Sequence, residues 1–220
     1  MTSSNKSDLS SGFLWCALYI LLMALTREVL DYLPLQPWLL AAPQIVAAAL
    51  CLRLFRAAGK PLQWAGRSSE SIVMLGALIV LCAAGLCGLQ SFLTPPQSGV
   101  HPDPAAWIFA AAIAAPAAEE LFFRGMLFSR TDAAIRIPAQ AMLFAVAHMQ
   151  LDQGMFALAG GLVFGWIALE FGLAAAIACH GFTNLFSLIV VFSKEPILPP
   201  LSIAFVLAAA AGFLYMKVRK

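Results

Sequence analysis

The sequence predicts an all-α membrane protein, a polytopic bundle of about eight transmembrane helices with both termini cytoplasmic. Three observations carry that expectation. Hydrophobic residues make up 62% of the 220-residue chain and charged residues 11%, against about 45–50% and about 25% in soluble domains. The mean hydropathy is +0.88, too high for a water-soluble core with a polar coat. The apolar residues gather into runs of spanning length, and the sparse Lys and Arg residues alternate from one connection to the next.

A helix crosses the bilayer core with about 20 apolar residues. The first run, about 12–33, follows eleven polar residues and lacks a small-residue cleavage site, so it reads as a retained helix and not a signal peptide. "LPLQP" separates it from the second, about 36–57, and "AGKPLQWAGRSS" separates that from the third, about 70–93. "TPPQSGVHPDP" precedes the fourth, about 105–130. The fifth and sixth, about 135–150 and 154–170, are joined by "MQLDQG" and are short enough to be tilted, partly re-entrant or buried by neighbours. The seventh and eighth, about 172–193 and 197–216, are separated by "SKEPILPP". Breaks of this Pro- and Gly-rich kind end helices and turn the chain.

Basic residues set the expected orientation. Lys6, the group Arg53, Arg56, Lys60 and Arg67, the pair Arg130 and Arg136, and the tail Lys217, Arg219 and Lys220 share one side of the alternation. The opposite side has Lys194 beside Glu195, and its other loops carry Asp31, Asp103 and Asp152. Trp38, Trp64 and Trp107 suit interfacial anchors. Arg27 and Glu28, near the end of the first run, either pair at the outer interface or join a site. The chain is then one integral membrane domain in three parts: helices one to three with the basic loop over 1–104, a core of helices four to seven over 105–193, and the last helix and basic tail over 194–220.

A net charge of +2 and the lack of any basic run of five residues exclude nucleic acid as a partner. Cys16, Cys51, Cys82, Cys87 and Cys179 all lie in apolar runs without a CxxC pair. That excludes a disulfide framework and a zinc knuckle, and leaves five small buried hydrophobes.

Ionisable groups inside membrane spans are rare and mark function by default. Here they are Glu119, Glu120 and Arg124 in the fourth run, His148 in the fifth and His180 in the seventh, joined by the neutral Asn184. His101 falls in the "GVHPDP" loop and reads as solvated. Glu120 and Arg124, four apart, share a helix face in the favourable order for pairing. Glu119 points about 100° away and is left without that partner. Pro116 removes the N–H that would bond Ala112, so a kink or loosened carbonyl is expected there. "FAVAH" puts Phe144 and His148 on one face, and "HGFTN" does the same for His180 and Asn184, with Gly181 allowing a neighbour close to the backbone.

A carboxylate with an imidazole can hold and deprotonate one water molecule. A second imidazole and a side-chain amide can donate hydrogen bonds to the oxyanion of a tetrahedral intermediate. Those parts suffice for amide hydrolysis. Two histidines and a glutamate are also a permissible zinc set, although no HExxH occurs and the ligands would come from three helices. No cofactor is expected, and zinc stays open. Cys179 beside His180 is not a thiol dyad, because adjacent helical residues diverge. "GGLVFG", with Gly160, Gly161 and Gly165, reads as a helix-packing face.

At these residues the sequence resembles the CPBP family, the CAAX-protease and bacteriocin-processing group of intramembrane proteases, also called ABI. The family pattern EExxxR, FxxxH and HxxxN stands here as "EELFFR" (Glu119–Arg124), "FAVAH" (Phe144–His148) and "HGFTN" (His180–Asn184). The resemblance covers about 105–193 and implies a glutamate-dependent endopeptidase. It implies Glu119 as the water-activating base, His148 as a holder of that water, and His180 with Asn184 as the oxyanion site. Glu120 and Arg124 would be the site-organising pair, with Phe144 beside them. The implied substrate is a membrane-embedded or lipid-anchored protein or peptide, and the implied setting is a bacterial inner membrane. Two other classes remain as alternatives: a polar-site or proton-coupled transporter using the same groups as a relay, and a catalytically idle scaffold or immunity protein.

Overall fold

The computed structural model describes residues 14–26, 28, 39, 41–57, 62, 64, 66, 72–93, 103–128, 131 and 133–193, with side chains described to residue 188. They form helices, with no strand among the described residues. We number the helices α1 (Leu14–Thr26), α2 (Ala42–Ala57), α3 (Ile72–Leu93), α4 (Pro104–Leu127), α5 (Arg136–Ala147), α6 (Leu151–Phe171) and α7 (Leu173–Ser193). Each matches one of the first seven apolar runs. The eighth run and most of the loops that carry the basic residues lie outside the described residues. Two helices, α4 and α6, are long and apolar enough to cross a membrane by length and composition.

Helix α4 is the axis of the fold, and its sequence explains its irregular shape. Asp103 caps it, its side chain accepting from the Ala106 N–H at 3.0 Å, and Pro104 fills the first turn, where no N–H is needed. Two stretches are wound wide as π-helix, Phe109–Ala114 and Leu121–Leu127, on either side of the α-helical turn Ala115–Glu120. The Ala115 N–H reaches back five residues to the Ala110 oxygen. Pro116 has no N–H to offer the next carbonyls. The loosened backbone expected before Pro116 is therefore present as a wide turn, a form that recurs at functional sites.

Small residues bring the other helices in. Helices α5 and α6 form an antiparallel hairpin in which a Cβ on Gly161 would sit 2.9 Å from the Cα and Cβ of Ala141. The "GGLVFG" face thus packs against α5, and Gly165 leaves room for the buried Gln140 side chain. Helix α7 lies against α3, α6 and α4. A Cβ on Gly181 would come within 2.7 Å of the Ala112 oxygen, so glycine is what lets α7 touch the loosened part of α4. Helix α1 is held at its buried face, where the Cys16 thiol points to the Leu143 oxygen at 3.7 Å. The five cysteines are free and buried, as their surroundings in the sequence imply.

The core runs through the middle of this bundle. It joins Phe122, Phe123 and Leu127 of α4 to Phe144 of α5, Phe164 and Ile167 of α6, and Cys179 of α7. The charged residues of α4 lie inside this apolar packing, which is what makes their pairing consequential.

Candidate active site

Glu120 is the centre of the polar cluster. Its side chain is 0% exposed, and one oxygen, Oε1, accepts from Arg124 Nη1 at 2.8 Å and from His180 Nδ1 at 2.9 Å. The pairing of Glu120 with Arg124 follows from their spacing. The bond to His180 does not, because it joins helices sixty residues apart in sequence. Arg124 also donates Nη2 to the Gly161 oxygen at 3.2 Å, and its guanidinium lies 4.6 Å from the centroid of the Phe144 ring. That is within the range of a cation–π contact. The same Gly161 oxygen accepts from Gln140 Nε2 at 2.7 Å.

Glu119 is placed differently. Its side chain is 20% exposed, and Oε2 lies 3.7 Å from His180 Nε2, beyond direct hydrogen-bond range. Among the described residues no hydrogen bond reaches it from His148 or Asn184. Two adjacent carboxylates are thus separated by their helical turn into one committed to structure and one left available.

The histidine nitrogens have distinct duties. His148 caps the end of α5, and its Nδ1 lies 2.9 Å from the Phe144 oxygen. A carbonyl only accepts, so Nδ1 carries the hydrogen and the neutral ring offers Nε2 as an acceptor. The same logic applies to His180, whose Nδ1 faces a carboxylate oxygen already receiving Arg124. Both rings contact Phe144, at 4.8 Å for His148 and 5.7 Å for His180, and His180 is also stacked on Phe164 at 4.6 Å. His148 sits at a helix end, beside Met149 with φ 56°, near the end of the run 135–150.

Asn184 has a use that the sequence left unread. Its Nδ2 donates to the Ala111 oxygen at 2.8 Å. That carbonyl has lost its helical partner, because the Ala115 N–H goes to Ala110 and residue 116 is proline. In a lipid environment every such group must be satisfied from within. One amide hydrogen of Asn184 is spent on this task and the other remains.

The cluster therefore brings Glu119, Glu120, Arg124, Phe144 and His180 together, with His148 joined to it through the Phe144 ring and Asn184 one turn along α7 bonded to α4. Gln140 and Phe164 also belong to it and were missed in the sequence. Gln140 was detectable as a lone amide in an apolar helix; Phe164 was one of sixteen phenylalanines. Among the described residues no three His, Cys, Asp or Glu side chains are placed to share a metal ion.

Residues 101–186 match the family model described as type II CAAX prenyl endopeptidase, Rce1-like. No curated protein and no solved structure matches the chain.

Proposed function

We propose, with the match of residues 101–186 to the CAAX prenyl endopeptidase model as support, that this chain is an intramembrane endopeptidase of the CAAX-protease (CPBP) family using water activated by Glu119. The substrate is a membrane-embedded or lipid-anchored protein or peptide, cut near a CAAX-type end or a C-terminal sorting tail. The observation that carries this reading is the contrast between two neighbours: Glu120 fully buried and doubly bonded, Glu119 partly open and 3.7 Å from His180 Nε2.

A water can donate one hydrogen to Glu119 Oε2 and the other to His148 Nε2, the two roles the resemblance implies. Glu119 takes one proton as the water oxygen bonds to the scissile carbonyl carbon. The carbonyl π pair moves to oxygen, where the remaining Asn184 N–H and the Nε2–H of a protonated His180 receive it. Glu119 then returns its proton to the amide nitrogen, the C–N bond breaks, and the carboxylate is restored. Glu120 and Arg124 hold His180 in place and touch no reacting atom.

The proposed setting is a bacterial inner membrane, with eight spans and both termini cytoplasmic. The alternation of Lys and Arg supports this, and the apolar helices are consistent with it. The family match favours neither the carrier nor the idle scaffold.

The test compares the C-termini of membrane proteins in cells expressing wild-type or Glu119→Ala protein at equal levels. Trimmed C-termini should depend on Glu119. Equal trimming by the variant would refute the proposal.

A further inference from the structure

One hydrogen bond does not fix an imidazole. The bond from His180 Nδ1 to Glu120 Oε1, 2.9 Å long, anchors one atom of the ring. The ring can still swivel about the line through those two atoms. Nε2, on the far side of the ring, is the nitrogen that lies 3.7 Å from Glu119 Oε2. A swivel would carry that nitrogen away from the site and leave the anchor unbroken.

The plane of the ring is held from α6. Phe164 lies nearly flat against His180, with centroids 4.6 Å apart and planes 16° from parallel, while Phe144 meets the same imidazole edge-on at 5.7 Å. Both phenylalanines are 2% exposed, so neither ring has open space to turn into. The backbone of α6 makes room for this stack. Gly160 stands one turn before Phe164, and a Cβ there would lie 3.2 Å from the Phe164 ring carbon Cε2. Glycine thus leaves the strip of α6 that the ring occupies clear.

The face of an aromatic ring is its negative side and attracts a cation placed over it within about 6 Å. Phe164 therefore presents a favourable surface to His180 in the protonated form that donates Nε2–H to the oxyanion. Leucine or methionine would fill the same volume without a flat face.

We propose that Phe164, outside the three motifs, is a positioning residue of the reaction: its face fixes the plane of the His180 imidazole, so that Nε2 stays aimed at the reacting carbonyl oxygen. Phe164 touches no reacting atom. The inference rests on the endopeptidase reading above.

Phe164→Leu and Phe164→Met in the purified full-length protein test it, because both fill the space and remove the plane. One measurement is kcat and KM on a synthetic peptide copied from a Glu119-dependent cleavage site. The other is proton–carbon NMR of histidine-labelled protein in detergent. The chain has three histidines, so the His180 signals can be assigned by their loss in His180→Gln. A ring stacked on an aromatic face has its C–H signals moved upfield, and both substitutions should return those of His180 downfield. A misplacement of about 1 Å costs about 10²-fold in rate, so kcat should fall about 10²-fold with KM unchanged. Wild-type kcat in either variant overturns the proposal. So does a fall in kcat with the His180 signals unmoved, or a rise in KM in place of that fall. If no C-terminus depends on Glu119, the endopeptidase reading fails; if that dependence stands and the variants cut normally, only this inference fails.

Discussion

Removing the Glu120 carboxylate is the sharpest test of the division between the two neighbouring glutamates. In Glu120→Ala the Arg124 guanidinium, also 0% exposed, loses the carboxylate it is bonded to and keeps the Gly161 oxygen and the aromatic rings. Breaking a buried pair by deleting one partner costs about 3–5 kcal/mol, because the remaining charge is left uncompensated. For a chain of this size each kcal/mol moves the thermal midpoint by about 2–4 °C, so a drop of about 6–20 °C is expected. Replacing the pair together, as Glu120→Met with Arg124→Met, should recover much of that loss, since apolar substitutes for a buried pair are often neutral. Cleavage would not return, because His180 would still lack its anchor. Glu119→Ala should melt within about 2 °C of the wild type, as expected of a partly exposed residue without such bonds. Scanning fluorimetry of the purified proteins in one detergent measures all four. A midpoint for Glu120→Ala equal to the wild type, or a double variant as unstable as the single one, would refute the reasoning.

Three further outcomes can be measured. Gly181→Ala sets a Cβ 2.7 Å from the Ala112 oxygen, and overpacking of this kind costs about 1–3 kcal/mol, so both the midpoint and Glu119-dependent cleavage should fall. Gly76→Ala meets nothing within 4 Å and should gain up to about 1 kcal/mol from helix propensity, raising the midpoint slightly. Glu119-dependent cleavage should persist in a strong chelator; loss reversed only by added zinc would replace the water-activating role of Glu119 with a metal-centred one.

The sequence made the helical class and the positions of seven helices legible, because apolar runs of spanning length admit few other structures. It also made Glu120–Arg124 and Phe144–His148 legible, because both are contacts within one helix at a spacing of four. Contacts between helices were hidden. Nothing in local spacing says that His180 bonds Glu120, that Arg124 shares the Gly161 oxygen with Gln140, or that α1 brings Tyr19 to Phe122. Those depend on which faces meet and at what depth. "GGLVFG" was readable as a packing surface, yet its second glycine also lends its carbonyl to the site. Helix α5 stops three residues before the end of the run 135–150, because the backbone turns at Met149 with a positive φ.

The depth at which the site assembles has a local cause in Pro116. The proline and the wide turn before it free the Ala111 carbonyl, and a free carbonyl in an apolar bundle demands a donor. Asn184 meets that demand, while Gly181, three residues earlier, allows the two backbones to approach. One turn towards the N-terminus of α7, His180 then falls beside Glu120, nine residues further along α4. Two ties, Asn184 to Ala111 and His180 to Glu120, run in opposite senses along the two helices and fix an antiparallel register. A slip of either helix by one turn, about 5.4 Å, would break both. One amide hydrogen of Asn184 is spent on Ala111, and that bond sets where the other, to which the proposed mechanism gives the oxyanion, is held.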